Sequence, residues 1–347
     1  MVLERKPTGL DDRVAWFANV HHLLSPMSGV TDRPFRDICH DHGVHMGFCE
    51  FTSASGLYHE NEQTWKLIDT DGETGRVGIQ IFGQDPGDMA AAAEILVRRK
   101  HMDVLDLNFG CPAKKVVKKC GGSALLADVP RLESIVRSVI DAAGDTPVSA
   151  KFRTGWDELS LNYLEVGSLL QELGCVWVTL HGRTRNQKYR GEANWDTIAE
   201  LVEHLEIPVV GNGDVVDGAS YAALRRHTRC HAVMVARGAI GNPWLFQEMS
   251  AMDQGRPWSP PNLAEMCAVA ARHVTLEVAQ RGERTGCYVV RKHMARCFRG
   301  YPGAAAIRKR LFAEDTSAGV LAVLEDVAQM DDPRRDQPEP QTKDRES

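Results

Sequence analysis

The stretch MDVLDLNFGCPAKKVVKKCGGSALL, Met102 to Leu126, holds the unit from which this chain is built. A short apolar run ends at a glycine, a cysteine and a proline. Four lysines follow, then two glycines and a small-residue helix start. The run has the length of a strand, and what comes after the turn has helical composition. Working outward, the same beat recurs on both sides. Before it stand HHLLSPM near residue 24, VHMGFCEF near 47 and RVGIQIFG near 79; after it come PVSAKFRTG near 150, CVWVTLHGR near 179, IPVVGNGD near 210 and HAVMVARG near 235. Most are followed by segments of helical periodicity, such as PGDMAAAAEILVRR and PRLESIVRSVIDAAG. Eight strand–helix units predict an α/β fold, a (β/α)8 TIM barrel. A doubly wound sheet is the alternative, but its first turn would carry GxGxxG, and here that turn reads SPMSGVTD.

Beyond Pro261 the beat changes. LAEMCAVAARHVTLEVAQRG, CYVVRKHMARCFRG and GAAAIRKRLFAE read as helices with no strands between them, reached through the Pro- and Gly-rich DQGRPWSPPN. The expected organisation is a barrel domain over 1–255, a small all-helical domain over 262–328 and a polar, disordered tail over 330–347.

Composition narrows the chemistry. The 347 residues are 43% hydrophobic, enough for a sizeable core. No apolar run approaches the roughly 18 residues of a membrane span. Nine scattered cysteines form no CxxC pair, so reduced thiols in a cytoplasmic protein are expected, with no metal site. Net charge is −6, which argues mildly against a nucleic-acid partner, yet Asn262–Arg310 holds ten Lys/Arg against three acids, a local +7. That is an electrostatic footprint for a polyanion or a solvated helix face.

Barrel enzymes place their chemistry at the C-terminal ends of the strands. Those positions are Pro26, Met27 and Ser28 on strand one, Gln80 on three, Asn108 and Cys111 on four, Lys151 and Arg153 on five, His181 and Arg183 on six, Gly211–Asp214 on seven and Ala236–Pro243 on eight. Loops seven and eight are the usual phosphate site; Gly213 and Gly238 would admit it closely and Arg237 would add charge. Lys151 with Gln80 suits the pyrimidine edge of a flavin, although a Schiff-base lysine is also possible. A phosphate loop, that pair and an apolar first strand together suggest FMN. Cys111, between a glycine and a proline at a strand end, would face the barrel mouth. A thiol with an ordinary pKa of about 8.5 is a suitable proton donor to a reduced C=C bond.

SPMSGVTDRPFR, NFGCPAKKVVKKCGGSALL, HGRTRNQKYRGEANW, GNGDV and ARGAIGNPWLF, taken in order, resemble the tRNA-dihydrouridine synthases, nearest their bacterial B-type branch, over about residues 22–250. The helical tail resembles that family's C-terminal domain more loosely. The resemblance implies an FMN-binding barrel with an RNA-binding helical domain, and NADPH-dependent reduction of the 5,6 double bond of uridines in the tRNA D-loop. Cys111 matches the proton donor to C5. Pro26, Met27, Ser28, Gln80, Lys151, His181, Asn212, Gly213, Asp214, Ala236 and Arg237 match the FMN contacts, and Asn108 lies close to flavin and substrate. Ser25 and Ser28 replace common alanines, and Ala236 a frequent glycine. Lys114, Lys115, Arg153, Arg183 and Arg185 would meet RNA phosphates, as would Arg291, Lys292 and Arg296 on the tail. A monomer is expected. The competing reading is an FMN-dependent dehydrogenase of small dihydropyrimidines or dihydroorotate, which would not need the basic helical appendage.

Overall fold

The computed structural model describes residues 9–113 and 121–330; Lys114, Lys115, Cys120 and the tail from 331 lie outside that range. The eight expected strands are present: β1 (His22–Leu24), β2 (Met46–Phe48), β3 (Arg76–Phe82), β4 (Val104–Phe109), β5 (Val148–Arg153), β6 (Val178–His181), β7 (Val209–Asn212) and β8 (Ala232–Val235). Each pairs in parallel with its neighbours. β8 returns to β1, and β2 pairs with β3, so the sheet closes into a barrel. A two-residue strand, Thr52–Ser53, extends the rim beside Ile81 and Phe82 of β3.

Among the described residues the helices of this unit are α1 (Arg33–Asp41), α2 (Ala54–Tyr58), α3 (Glu62–Trp65), α4 (Pro86–Arg99), α5 (Val129–Ala143), α6 (Tyr163–Glu172), α7 (Asp196–His204), α8 (Gly218–Thr228) and α9 (Leu245–Asp253). Local chemistry starts them: Asp85 caps α4 by accepting from the Asp88 N–H, with Pro86 in the first turn. α4 then buries Met89, Ala92, Ala93 and Leu96, one helical stripe, against the barrel wall.

Alternation along the strands sorts the barrel into wall and lumen. Leu105, Leu107, Phe109, Ala150, Phe152, Val178 and Leu180 join the apolar layer under the helices. Their alternates, Asp106, Asn108, Ser149, Lys151, Thr179 and His181, are polar. Register aligns them across the sheet: Gln80 with Asp106, Asp106 with Ser149, Asn108 with Lys151, His181 with Asn212. At the opposite end the barrel is plugged. A 3-10 segment, Asp12–Asn19, buries Val14 and Phe17 among Leu23, Met46, Phe48, Trp177, Val210 and Met234. Phe17 stacks on Trp177 with ring centroids 4.0 Å apart.

The chain divides into two compact units, one running to Ala239 with Leu245–Trp258 added, the other comprising Ile240–Trp244 and the chain from Ser259. The second unit contains α10 (Leu263–Arg281), α11 (Glu283–Cys297), α12 (Ala304–Ala313) and α13 (Ser317–Ala328). Asn262 and Glu265 form a reciprocal capping box at the start of α10. Gly241 is needed in this unit: at φ +67, a Cβ there would lie 2.3 Å from the His293 carbonyl oxygen.

Candidate active site

The site is built from strand ends upward. In the lumen Asp106 accepts from Ser149 Oγ and from Gln80 Nε2, both at 2.6 Å. Asn108 Nδ2 donates to Gln80 Oε1 at 2.6 Å, and Asn108 Oδ1 accepts from the N–H groups of Gly110 (3.0 Å) and Cys111 (2.9 Å). Gln80 is fully buried beneath Asn108, with one amide N–H and one carbonyl lone pair beyond these bonds. The Cys111 carbonyl is held by Ser123, through its N–H at 3.2 Å and its Oγ at 2.8 Å.

Cys111 therefore sits on a turn braced on both sides, 9% exposed. Burial pushes its thiol pKa up, against smaller downward pulls from the Ala113 N–H and the Arg153 charge. The thiol is protonated at neutral pH.

On β5 and β7, Lys151 Nζ donates to Asn212 Oδ1 at 2.8 Å, and Asn212 Nδ2 donates to the Met234 carbonyl at 2.7 Å. Burial, with the neighbouring Arg153 charge, brings Lys151 down to about 7. His181 is driven well below its ordinary range by burial and by the cations Arg153 and Lys151. It is a neutral imidazole at pH 7. Arg183 Nη1 faces His181 Nε2 at 3.3 Å; since a guanidinium has no lone pair to offer, Nε2 is the acceptor and the ring proton is on Nδ1.

The loops after β7 and β8 approach one another. A Cβ on Gly238 would lie 2.3 Å from the Val215 carbonyl oxygen, so only glycine lets the two backbones approach. Gly213 is at φ +136, where a Cβ would lie 2.6 Å from Ala193 Cβ and 3.4 Å from His181 Cδ2. Asp214 holds a left-handed φ of 59 and braces the rim, accepting from Arg183 Nη2 (2.6 Å) and the Ala193 N–H (2.7 Å). Arg237 is exposed, 3.6 Å from Asp214 Oδ1 and over the ring of Tyr189. Pro26 is buried at the end of β1, Met27 is half-buried and Ser28 is exposed; Ala236 is half-buried at the end of β8.

Two of the expected phosphate contacts are buried side chains. Arg153 and Arg183 are each only 2% exposed. Arg153 donates to the carbonyls of Gly110, Thr184 and Lys188; Arg183 donates to those of Arg190 and Gly191 and to Asp214. Both tie the β6 loop to the barrel rather than face solvent. Arg185 instead lies over the Trp156 ring at 4.2 Å, beside the exposed Lys188. Lys114 and Lys115 lie outside the described residues. In the helical unit, Arg291 is engaged by the Glu314 carbonyl and Asp315, while Lys292 is half-buried and Arg296 exposed on the same helix. Sequence reasoning missed Asp106 and Ser149; an acid inside the apolar run VLDLNF was the available signal.

Comparison with known proteins agrees with this arrangement. Residues 23–331 match the dihydrouridine synthase family profile. The chain is 37% identical over 304 residues to tRNA-dihydrouridine synthase B of Pasteurella multocida (strain Pm70), covering 87% of this chain and 91% of that one. It is 36% identical over 302 residues to a probable tRNA-dihydrouridine synthase of Mycobacterium tuberculosis (strain CDC 1551 / Oshkosh), covering 83% and 77%. Among solved structures, 6-hydroxypseudooxynicotine amine oxidase from Pseudomonas geniculata N1 superposes with a TM-score of 0.50 at 14% identity, over 67% of this chain and 47% of that one, a likeness of fold alone. With the family profile spanning both the barrel and the helical unit, and relatives matched over most of their length, this chain belongs to the dihydrouridine synthase family, nearest its B-type members.

Proposed function

We propose that this chain reduces the 5,6 double bond of D-loop uridines in tRNA, with FMN as its flavin and NADPH as electron source. Family membership carries the coarser part, a flavin-dependent oxidoreductase acting on tRNA. The finer part rests on one observation: a thiol that burial keeps protonated lies at the end of the strand next to the one that carries Lys151, in a lumen lined by polar hydrogen-bonding groups.

The residues fit a flavin. Lys151, lowered to about 7, is poised between ammonium and amine; a ring edge that gathers negative charge would favour the ammonium, whose donors beyond the one given to Asn212 could meet it. Gly213 leaves a bare stretch of backbone where a side chain would collide. Lys151, His181, Asn108, Asn212, Gln80, Pro26, Met27 and Ser28 would hold the ring system. Gly213, Asp214, Ala236 and Arg237 would take the phosphate. When bound and reduced, the flavin supplies hydride to C6 of the uracil.

Every other step belongs to the chain. Cys111 holds a proton at Sγ and delivers it to C5, as general acid. The low pKa of His181 keeps it uncharged, so it does not compete as a proton donor of similar strength. The target base leaves its stack to reach the mouth. Arg185, Lys188, Lys292 and Arg296 meet phosphates, and recognition is by shape.

The test is single-turnover reduction of tRNA lacking dihydrouridine by the purified holoenzyme, with the released cofactor identified by mass. Dihydrouridine in the D-loop and FMN are expected. FAD, or activity on free dihydropyrimidines with none on tRNA, overturns the reading.

A further inference from the structure

Asp106 is fully buried and touches no part of the open mouth, yet the geometry gives it control of the turn that carries the thiol. A carboxylate can accept hydrogen bonds but cannot donate them. Burial pushes Asp106 up to about 6, with Ser149, Gln80 and Lys151 pulling the other way, so at neutral pH the carboxylate form prevails. It must be met by donors, and Gln80 presents its NH2. That leaves Gln80 Oε1 as the acceptor facing the next layer, where it receives Asn108 Nδ2. The orientation of the second amide follows from the first: Asn108 Oδ1 is turned to the strand end and takes the N–H groups of Gly110 and Cys111. A reversal at any link would set donor against donor, an arrangement that costs about 1–3 kcal/mol for a buried group.

We propose that Asp106 is a positioning residue for Cys111, acting through the amide relay Gln80–Asn108 to hold the thiol-bearing turn in one conformation. The proposal deepens the reading above, in which Cys111 is the proton donor. The relay itself is a property of the polypeptide. The β4–β5 ladder places Ser149 opposite Asp106, so the second donor to the carboxylate comes from the neighbouring strand. Ser149 matters for the test. Its hydroxyl can turn from donor to acceptor, so an asparagine at 106 can give its NH2 to Ser149 and keep its oxygen toward Gln80, leaving the relay running in the same direction.

Two readouts separate this role from general support. The first is the rate at which iodoacetamide alkylates Cys111 as a function of pH, followed on its own peptide by mass spectrometry, with and without flavin. The second is single-turnover reduction of tRNA by pre-reduced holoenzyme. Asp106→Ala should change the alkylation profile of Cys111 while the other buried cysteines stay unreactive, and should slow tRNA reduction about 10- to 100-fold, the scale of a misplaced reacting group. Asp106→Asn should stay near wild type. Adding Gln80→Ala to Asp106→Ala should change the flavin-free alkylation profile little further, because both cut one chain. If Asp106→Ala does not fold, Asp106→Asn combined with Ser149→Ala removes the rescuing acceptor and should show the same change in alkylation. Wild-type alkylation in the variants, or independent additive effects at 106 and 80, overturns the relay. A wild-type protein that shows the alkylation pattern but reduces no tRNA overturns the proposed function and leaves the relay standing.

Discussion

The two ends of the barrel lumen are made by the same eight strands and are opposites in chemistry. At the plugged end, Phe17, Trp177, Met46, Val210 and Met234 pack as one apolar cluster. Above it, toward the open end, the inward positions are polar: Asp106, Gln80 and Asn108 are linked by hydrogen bonds of 2.6 Å, Lys151 and Asn212 by one of 2.8 Å, and His181 stands beside Asn212 on the neighbouring strand. The difference shows how a barrel separates stability from chemistry. The apolar end gains from dehydration, whereas the polar end bears its cost: Lys151 is lowered to about 7 and His181 is kept neutral.

If that division holds, substitutions at the two ends should move different measurements. The largest expected effect is Cys111→Ala, which should lower dihydrouridine formation by about 10²–10⁴-fold, the range of general-acid catalysis. Flavin reduction by NADPH and the melting temperature should stay where they are, as a stopped-flow trace and a thermal scan would reveal. Trp177→Ala should do the reverse, costing about 3–5 kcal/mol of stability in urea titration while activity per folded molecule is retained. A Trp177 variant of full stability would erase the distinction.

Lys151→Ala should weaken flavin binding or slow its reduction by about 2 kcal/mol, in the range of one lost preorganised donor; flavin content and reduction rate report it. A fourth measurement sharpens the boundary at the plugged end. His45, stacked on His22 at 4.6 Å, is lowered from 6.5 to about 4, by burial first and then by the charges of His22 and His21. Its folded pKa lies below its unfolded one, so its contribution to stability is full above pH 6.5 and is lost as pH falls toward 4. His45→Gln should flatten that acid limb of the melting curve without touching tRNA reduction at pH 7. The smallest effect belongs to the helical unit. Lys292→Glu with Arg296→Glu should weaken tRNA binding several-fold at low salt. The salt slope should fall by roughly one to two, at about 0.7–0.9 for each phosphate no longer neutralised.

Much of this was legible in the chain. The eight strands could be read because each is a short apolar run closed by glycine, proline or a polar turn, and loops seven and eight announced themselves through Gly213 and Gly238. Direction was harder to read. Arg153 and Arg183 look alike in sequence to exposed phosphate binders, but their guanidinium groups turn inward to carbonyls supplied by the 184–191 loop; for Arg153 that closure is long-range, and for Arg183 it depends on how the loop folds back. The 3-10 segment gave no sign of being a plug, because Phe17 finds its partner 160 residues later in Trp177. Asp106 was visible but unread: a buried acid takes meaning only from its neighbours across the sheet, Ser149 and Gln80.

The Phe17–Trp177 stack closes one end of the lumen among the described residues. Whatever comes to the thiol along the lumen meets it from the other end. On the proposed function, a nucleotide reductant and a folded polynucleotide would take turns at that end, and alternating occupancy would read as parallel lines in double-reciprocal plots.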